Sequence, residues 1–209
     1  MRPGWAELVM RASVLAADRR RALLGITGAP GSGKSSFAAR LANEIPGSVL
    51  VPMDGFHLTT AQLSARGWVA ERGTPRTFDA QRYVALLRAL RNGQAARAPD
   101  FDRSREEPID GAISVPSDAR LVITEGNYLL LDTAPWSQVR ELLDEVWFVE
   151  VPEPLRLERL VQRHVQFGRT PEDALERATR GSDAANATLV AATRHRADLV
   201  IGAAVDTAE

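Results

Sequence analysis

Eight residues, Gly28-Ala29-Pro30-Gly31-Ser32-Gly33-Lys34-Ser35, constrain this chain more than any other stretch. They match G-x-x-x-x-G-K-S, a loop pattern that wraps phosphate groups. The flanks give the pattern its context. Ala22-Leu23-Leu24-Gly25-Ile26 is a short apolar run, as expected of a strand buried on both faces. Residues 36–45 carry Phe37, Leu41 and Ile45 at helical spacing. The loop is therefore expected between a strand and a helix. Glycines at 28, 31 and 33 let the backbone curl so that successive N–H groups converge on phosphate oxygens. A helix starting near Lys34 adds its free N–H groups and the positive end of its dipole. Lys34 brings a mobile charge to the β- and γ-phosphates, and a hydroxyl such as Ser35 ligates Mg²⁺. The alternative, a glycine-rich turn that binds nothing, fits the strand–loop–helix context poorly.

The rest of the composition removes whole classes of function. A formal net charge of -1 leaves no basic footprint for nucleic acid or an anionic membrane. The absence of cysteine removes disulfides, thiolate metal sites and thiol nucleophiles. No apolar run approaches the ~20 residues that span a bilayer. Glu7, Arg11 and Asp18 interrupt what would be a signal-peptide core. The expectation is a cytoplasmic protein of one domain over residues 1–209, with no nucleic-acid partner and no membrane insertion.

Residues 4–18 read as an amphipathic helix, with Trp5, Leu8, Val9, Ala12, Leu15 and Ala16 on one side. Residues 48–53 read as a second strand ending in Asp54-Gly55-Phe56-His57. Strand–helix alternation predicts parallel strands with right-handed crossovers, and ligands then lie beyond the carboxyl ends of the strands. Asp54 is expected in the same crevice as the phosphate loop. Residues 58–116 are too long for a simple crossover and read as a substrate-binding insertion. Within it lie a helix over 81–91 capped by Asp79, polar loops over 72–79 and 99–105, and a hairpin turn at Asp110-Gly111.

Residues 121–124 form the third strand, ending in Glu125, a carboxylate placed to hold Mg²⁺. A helix over 135–143 and a fourth strand over 145–151 follow. Arg156, Arg159 and Arg163 share a face of a helix over 155–167; Gly168 ends it, and Thr170-Pro171 starts another. These helices, meeting near Arg169, read as a lid over 155–172 whose arginines close on phosphates. A helix over 183–196 and a fifth strand over 197–202 complete the chain.

Together these motifs resemble the phosphoribulokinase, uridine kinase and bacterial pantothenate kinase family of P-loop kinases. The resemblance runs from about residue 23 to 201. It rests on the order of residues 28–35, Asp54-Gly55-Phe56, the stretch from Arg72 to Asp79, Pro99-Asp100-Phe101-Asp102, Glu125-Gly126, and the Arg159 to Arg169 lid. Met53 to His57, Arg163-His164 with Phe167-Gly168-Arg169, and Ser182-Asp183 with Asn186-Ala187 look most like the subgroup labelled fructose transport system kinases, or nucleoside/nucleotide kinase family proteins.

The resemblance implies an α/β P-loop three-layer sandwich, a five-stranded parallel sheet in order 2-3-1-4-5, and ATP with Mg²⁺ as cofactors. It implies transfer of the γ-phosphoryl group to a hydroxyl of a small metabolite: a sugar, a nucleoside or a pantothenate-like molecule. On this reading Lys34, Asp54, Arg163 and Arg169 are catalytic, with Asp54 the base. Gly28, Ala29, Pro30, Gly31, Ser32, Gly33, Lys34, Ser35, Ser36 and Arg159 hold the nucleotide. Ser35 and Glu125 hold the metal. Asp54, His57, Arg76, Asp79, Phe101, Asp102 and Arg103 face the acceptor, and the arginines favour an anionic or many-oxygened molecule. Assembly as a homodimer stays open. The alternative is a nucleotide-dependent switch acting on a transporter or another protein. A guanine-reading Asn-Lys-x-Asp signature is absent, which argues against a GTPase.

Overall fold

The computed structural model describes residues 3–202. After helix α1 (Trp5–Asp18) comes strand β1 (Ala22–Thr27), and the phosphate loop then leads into α2 (Lys34–Glu44). Strand β2 (Ser48–Pro52) runs into a 3₁₀ turn at Met53–Phe56. The next helices are α3 (Thr60–Arg66) and α4 (Ala80–Arg91). A hairpin of β3 (Ala96–Asp102) and β4 (Glu107–Val115) returns the chain to β5 (Leu121–Glu125). Helix α5 (Ser137–Leu142) and strand β6 (Glu145–Glu150) precede three consecutive helices, α6 (Glu153–Gln166), α7 (Pro171–Arg180) and α8 (Ser182–Ala192). Strand β7 (Leu199–Gly202) closes the described chain.

The main sheet has the order β2-β5-β1-β6-β7, with every neighbouring pair parallel. With the hairpin strands set aside, this is the expected 2-3-1-4-5. Neighbouring residues of β1 enter opposite layers, as the period of a strand requires. Leu23 joins Val51, Val122, Tyr83 and Leu87 on the α4 side. Leu24 and Ile26 join Ile123, Phe37, Leu41 and Trp147 on the side of α1 and α2. Two apolar layers on one sheet give the α/β sandwich and leave the carboxyl ends of the strands free for a site. No helix among the described residues is long and apolar enough to cross a membrane.

The insertion differs from its expected form. Pro99 to Asp102 lies in β3 rather than in a loop, and Asp110-Gly111 lies inside β4 rather than at the hairpin turn. The pairing Ala98↔Ile113 is followed by Asp100↔Ile109, so Asp110, Gly111 and Ala112 together oppose Pro99. Proline has no N–H for the ladder, and the bulge forms there, with Gly111 at φ 63°. The true turn follows Asp102, whose Oδ1 accepts from the Ser104 amide at 2.9 Å and the Arg105 amide at 3.2 Å. A carboxylate that binds backbone two and three residues ahead is as strong a turn signal as Asp-Gly.

Candidate active site

Gly33 is the N-cap of α2 at φ 88°, and Lys34 opens the helix. Gly31 has φ 84°, and a Cβ there would stand 2.5 Å from the Arg156 carbonyl. At Gly28 a Cβ would stand 2.6 Å from both Ser32 Oγ and the Val149 carbonyl. The loop is thus clamped between the end of β6 and the root of α6. Arg156 contributes to that clamp. It is buried, donates to the Pro30 carbonyl at 2.9 Å and pairs with Glu153 at 2.6 Å. Although it shares a helix face with Arg159 and Arg163, it braces the loop from behind.

Two carboxylates close the site from the sheet. Glu125 ends β5, with 4% of its surface exposed. Burial raises its pKa, against the opposing pull of the Lys34 charge and a hydrogen bond from Ser35. Asp54 sits in the turn after β2. Burial alone would raise its pKa, but His57, Arg103, Lys34 and Arg163 outweigh burial and hold it below its ordinary value. Arg103 Nη2 donates to Asp54 Oδ2 at 2.9 Å. Lys34 is itself pulled down by burial, partly countered by Glu125 and Asp54. His57 lies between the rings of Phe78 and Phe101, tilted to both, with centroids 3.9 and 4.7 Å away. Its Nδ1 lies 2.8 Å from the Asp54 carbonyl, and burial lowers its pKa.

Three cavities meet here. A cleft of about 640 Å³ is lined by Gly33, Lys34, Ser35, Ser36, Arg159 and Arg163. A compartment of about 160 Å³ shares Lys34, Ser35 and Arg163 with it and adds Asp54, His57 and Glu125. A third, of about 210 Å³, lies between the hairpin and helices α6 and α7, with Arg103, Arg169 and Arg177 among its walls. The phosphate loop and the acidic pair therefore face one continuous space.

Most of the expected site residues meet there, including Phe101, which lines both smaller compartments. Three are turned to other tasks. Arg76 pairs with Glu71 and covers the Trp68 ring at 4.7 Å. Asp79 caps α4, accepting from the Arg82 amide at 2.9 Å. Asp102 holds the hairpin turn. None of these lines the described cavities. Short-range patterns show that such residues are polar and sit on a loop, but not which way the loop turns.

Wall residues not expected as site residues include Arg72, Asn127, His164, Arg177, Asp183 and Asn186. Asp183 accepts from His164 Nε2 at 2.7 Å and pairs with Arg177 at 3.4 Å. Asn186 donates to the Gly73 carbonyl at 2.9 Å, which also receives the Tyr128 hydroxyl. Burial would raise the Asp183 pKa, but the hydrogen bond from His164 and the charge of Arg177 keep it lowered. The motif residues His164, Asp183 and Asn186 carried a signal in the sequence; the meeting of α6 and α8 that brings them together did not.

Any phosphate or metal must suit these groups. Ser32 Oγ is buried with no hydrogen-bond partner, beside loop backbone too crowded for a Cβ. A phosphate oxygen suits both features. Among the described residues no group of three or more acidic or histidine side chains forms a cation cage. Mg²⁺ needs no such cage, because it binds through one or two carboxylates, waters and substrate phosphates. Ser35 and Glu125 meet that requirement.

A parallel sheet in this order, with a G-x-x-x-x-G-K-S loop feeding α2 and a carboxylate at the end of β5, is a P-loop kinase. The chain belongs to the phosphoribulokinase / uridine kinase family, whose model matches residues 23–208. It is a small-molecule kinase, and the family implies use of ATP. A Schizosaccharomyces pombe protein provisionally named a uridine kinase is 37% identical over 212 residues, covering 93% of this chain and 88% of its own length. The uncharacterized protein YggC of Escherichia coli is 32% identical over 189 residues, covering 88% and 78%. A crystal structure from Silicibacter sp. TM1040, provisionally called a fructose transport system kinase, is 38% identical with a TM-score of 0.85, covering 93% of this chain and 97% of its own.

Proposed function

We propose that the chain binds ATP and Mg²⁺ in the larger cleft and transfers the γ-phosphoryl group to a hydroxyl of a small metabolite in the compartment beside Asp54. The observation that carries this is the shared wall: Lys34 and Ser35 of the loop line the same compartment as Asp54 and Glu125. Phosphoryl transfer asks a protein mainly for positioning and charge stabilisation. Lys34 and the loop amides hold the β- and γ-phosphates. Ser35 and Glu125 hold Mg²⁺, which when bound neutralises charge on those oxygens.

Asp54 orients the acceptor hydroxyl and takes its proton as the new P–O bond forms. The bond from the γ-phosphorus to the bridging oxygen breaks, and ADP leaves. A base held ionised is ready for that proton across neutral pH, as the charges around Asp54 require. Arg103, paired with Asp54, fixes the direction of its carboxylate. Arg159 and Arg163 line the nucleotide cleft and keep water from the γ-phosphate, whereas Arg169, expected to act with them, lines the third compartment instead.

The test is a coupled ADP-release screen over sugars, nucleosides, sugar phosphates, hydroxy acids and vitamin precursors. At least one class should accelerate ADP release, and Lys34→Ala should abolish that acceleration. If no metabolite accelerates release while a protein partner does, the chain is a switch rather than a metabolite kinase.

A further inference from the structure

Within the acceptor half of the site, the charges are unevenly used. The compartment beside Asp54 holds about 160 Å³, below the ~300–1,000 Å³ of an ordinary ligand pocket. It adjoins the compartment of about 210 Å³ through shared walls of Phe101, Arg103, Glu106, Arg163, His164 and Arg177. An acceptor of ordinary size would span both. Its hydroxyl end meets Asp54; its other end meets a wall with Arg103, Arg163, Arg169 and Arg177 against the single acid Glu106.

Much of this positive charge has another task. Arg103 pairs with Asp54, and Arg163 also lines the nucleotide cleft. Arg169 and Arg177 do not line that cleft, so their charge is not placed against the nucleotide side of the site. Among the described residues no carboxylate pairs with Arg169. Arg177 is placed but loosely satisfied. Its Nε is buried without a hydrogen-bond acceptor, Asp183 lies at 3.4 Å from that atom, and its Nη2 reaches the Arg72 carbonyl only at 3.4 Å. Guanidinium groups with spare donors favour carboxylate or phosphate oxygens.

We propose that the acceptor carries its own anionic group, a phosphate or a carboxylate, and that Arg169 and Arg177 seat it one compartment away from the reacting hydroxyl. This rests on the kinase reading and specifies its substrate class: a short hydroxylated anion rather than a neutral nucleoside or free sugar. The transfer step is unchanged, with the hydroxyl proton passing to Asp54 and ADP leaving.

The experiment compares matched acceptors: glycerol, glycerate and glycerol 3-phosphate, and ribose, ribose 5-phosphate and uridine. Kinetics are read by ADP release. Binding is read by calorimetry on protein loaded with a non-hydrolysable ATP analogue. An anionic member should exceed its neutral partner in kcat/KM by at least about 100-fold, and the carboxylate and phosphate arms say which group the seat takes. Arg169→Met and Arg177→Met should each raise the acceptor KM about 10–100-fold, the scale of a lost charge-assisted contact. The KM for ATP should stay unchanged and kcat should stay within a few-fold.

Preference for the neutral partner or uridine would overturn the proposal, as would an unchanged acceptor KM in both variants. Arg169 lies on the exposed lid turn, so its variant reports even where Arg177→Met fails to fold. If nothing is phosphorylated, the kinase reading fails but the seat is still decided by calorimetry. Anion binding by wild type that both variants lose supports it; failure of every anion to bind, or equal binding by the variants, removes it.

Discussion

Asp54 and Glu125 are carboxylates at the ends of neighbouring strands, yet their surroundings push them in opposite directions. His57, Arg103, Lys34 and Arg163 together outweigh burial at Asp54, while burial dominates at Glu125. Groups driven apart in this way take different roles: the ionised one suits a base, and the strained one becomes comfortable when a cation arrives. The ionised form of Glu125 therefore costs the nucleotide-free protein stability. Glu125→Gln should raise its Tm by about 2–4 °C at neutral pH, the shift of ~1 kcal/mol in a chain of this size. The same change should weaken metal-dependent ATP binding. Scanning calorimetry without nucleotide checks this, and a lower Tm would show that Glu125 stabilises the empty site. At this scale the donor residues were readable because the loop motif fixes each one relative to the next. Arg76 and Asp79 were not, because their short-range partners, Glu71 and the Arg82 amide, decide where they face.

At the scale of elements, helices α6, α7 and α8 are held to one another and to the 72–74 loop by a small polar network. His164 of α6, Arg177 of α7 and Asp183 of α8 meet at one carboxylate. Asn186 ties α8 to Gly73. Asp183 keeps a lowered pKa in the folded protein. Its contribution to stability is therefore present above the ordinary Asp value near ~3.9 and is lost as pH falls through the lower folded value. Asp183→Asn should cost about 1–3 kcal/mol at pH 7, the scale of an unmatched buried polar group. The gap to wild type should narrow below about pH 4. Denaturant titrations from pH 3 to 7 measure this, and a gap independent of pH would exclude the carboxylate charge as the source. The lid helices themselves were legible from capping and spacing, with Thr170 accepting from the Asp173 amide as its position suggests. The hairpin was misread because Asp-Gly serves a bulge opposite Pro99 as well as it serves a turn.

Over the whole molecule, local signals give the parallel strands: apolar runs of strand length, helices between them, and the handedness of crossovers; the order of those strands comes from the family resemblance. The donor half of the site inherits that legibility, since it sits where the order of strands places it. The proposed acceptor half is assembled from the 72–74 loop, the hairpin and helices α6, α7 and α8, elements far apart in sequence whose meeting depends on tertiary packing. Arg177 and Asp183 belong to that assembly. The central claim is that one compartment joins the two halves at Asp54. Its most direct measurement is single-turnover transfer by Asp54→Asn, run beside ATP binding on the same preparation and with the acceptor that the screen identifies. The account predicts ATP affinity within about two-fold of wild type and transfer slowed by about 10²–10⁴-fold, the contribution of a positioned base. Transfer at the wild-type rate would contradict it.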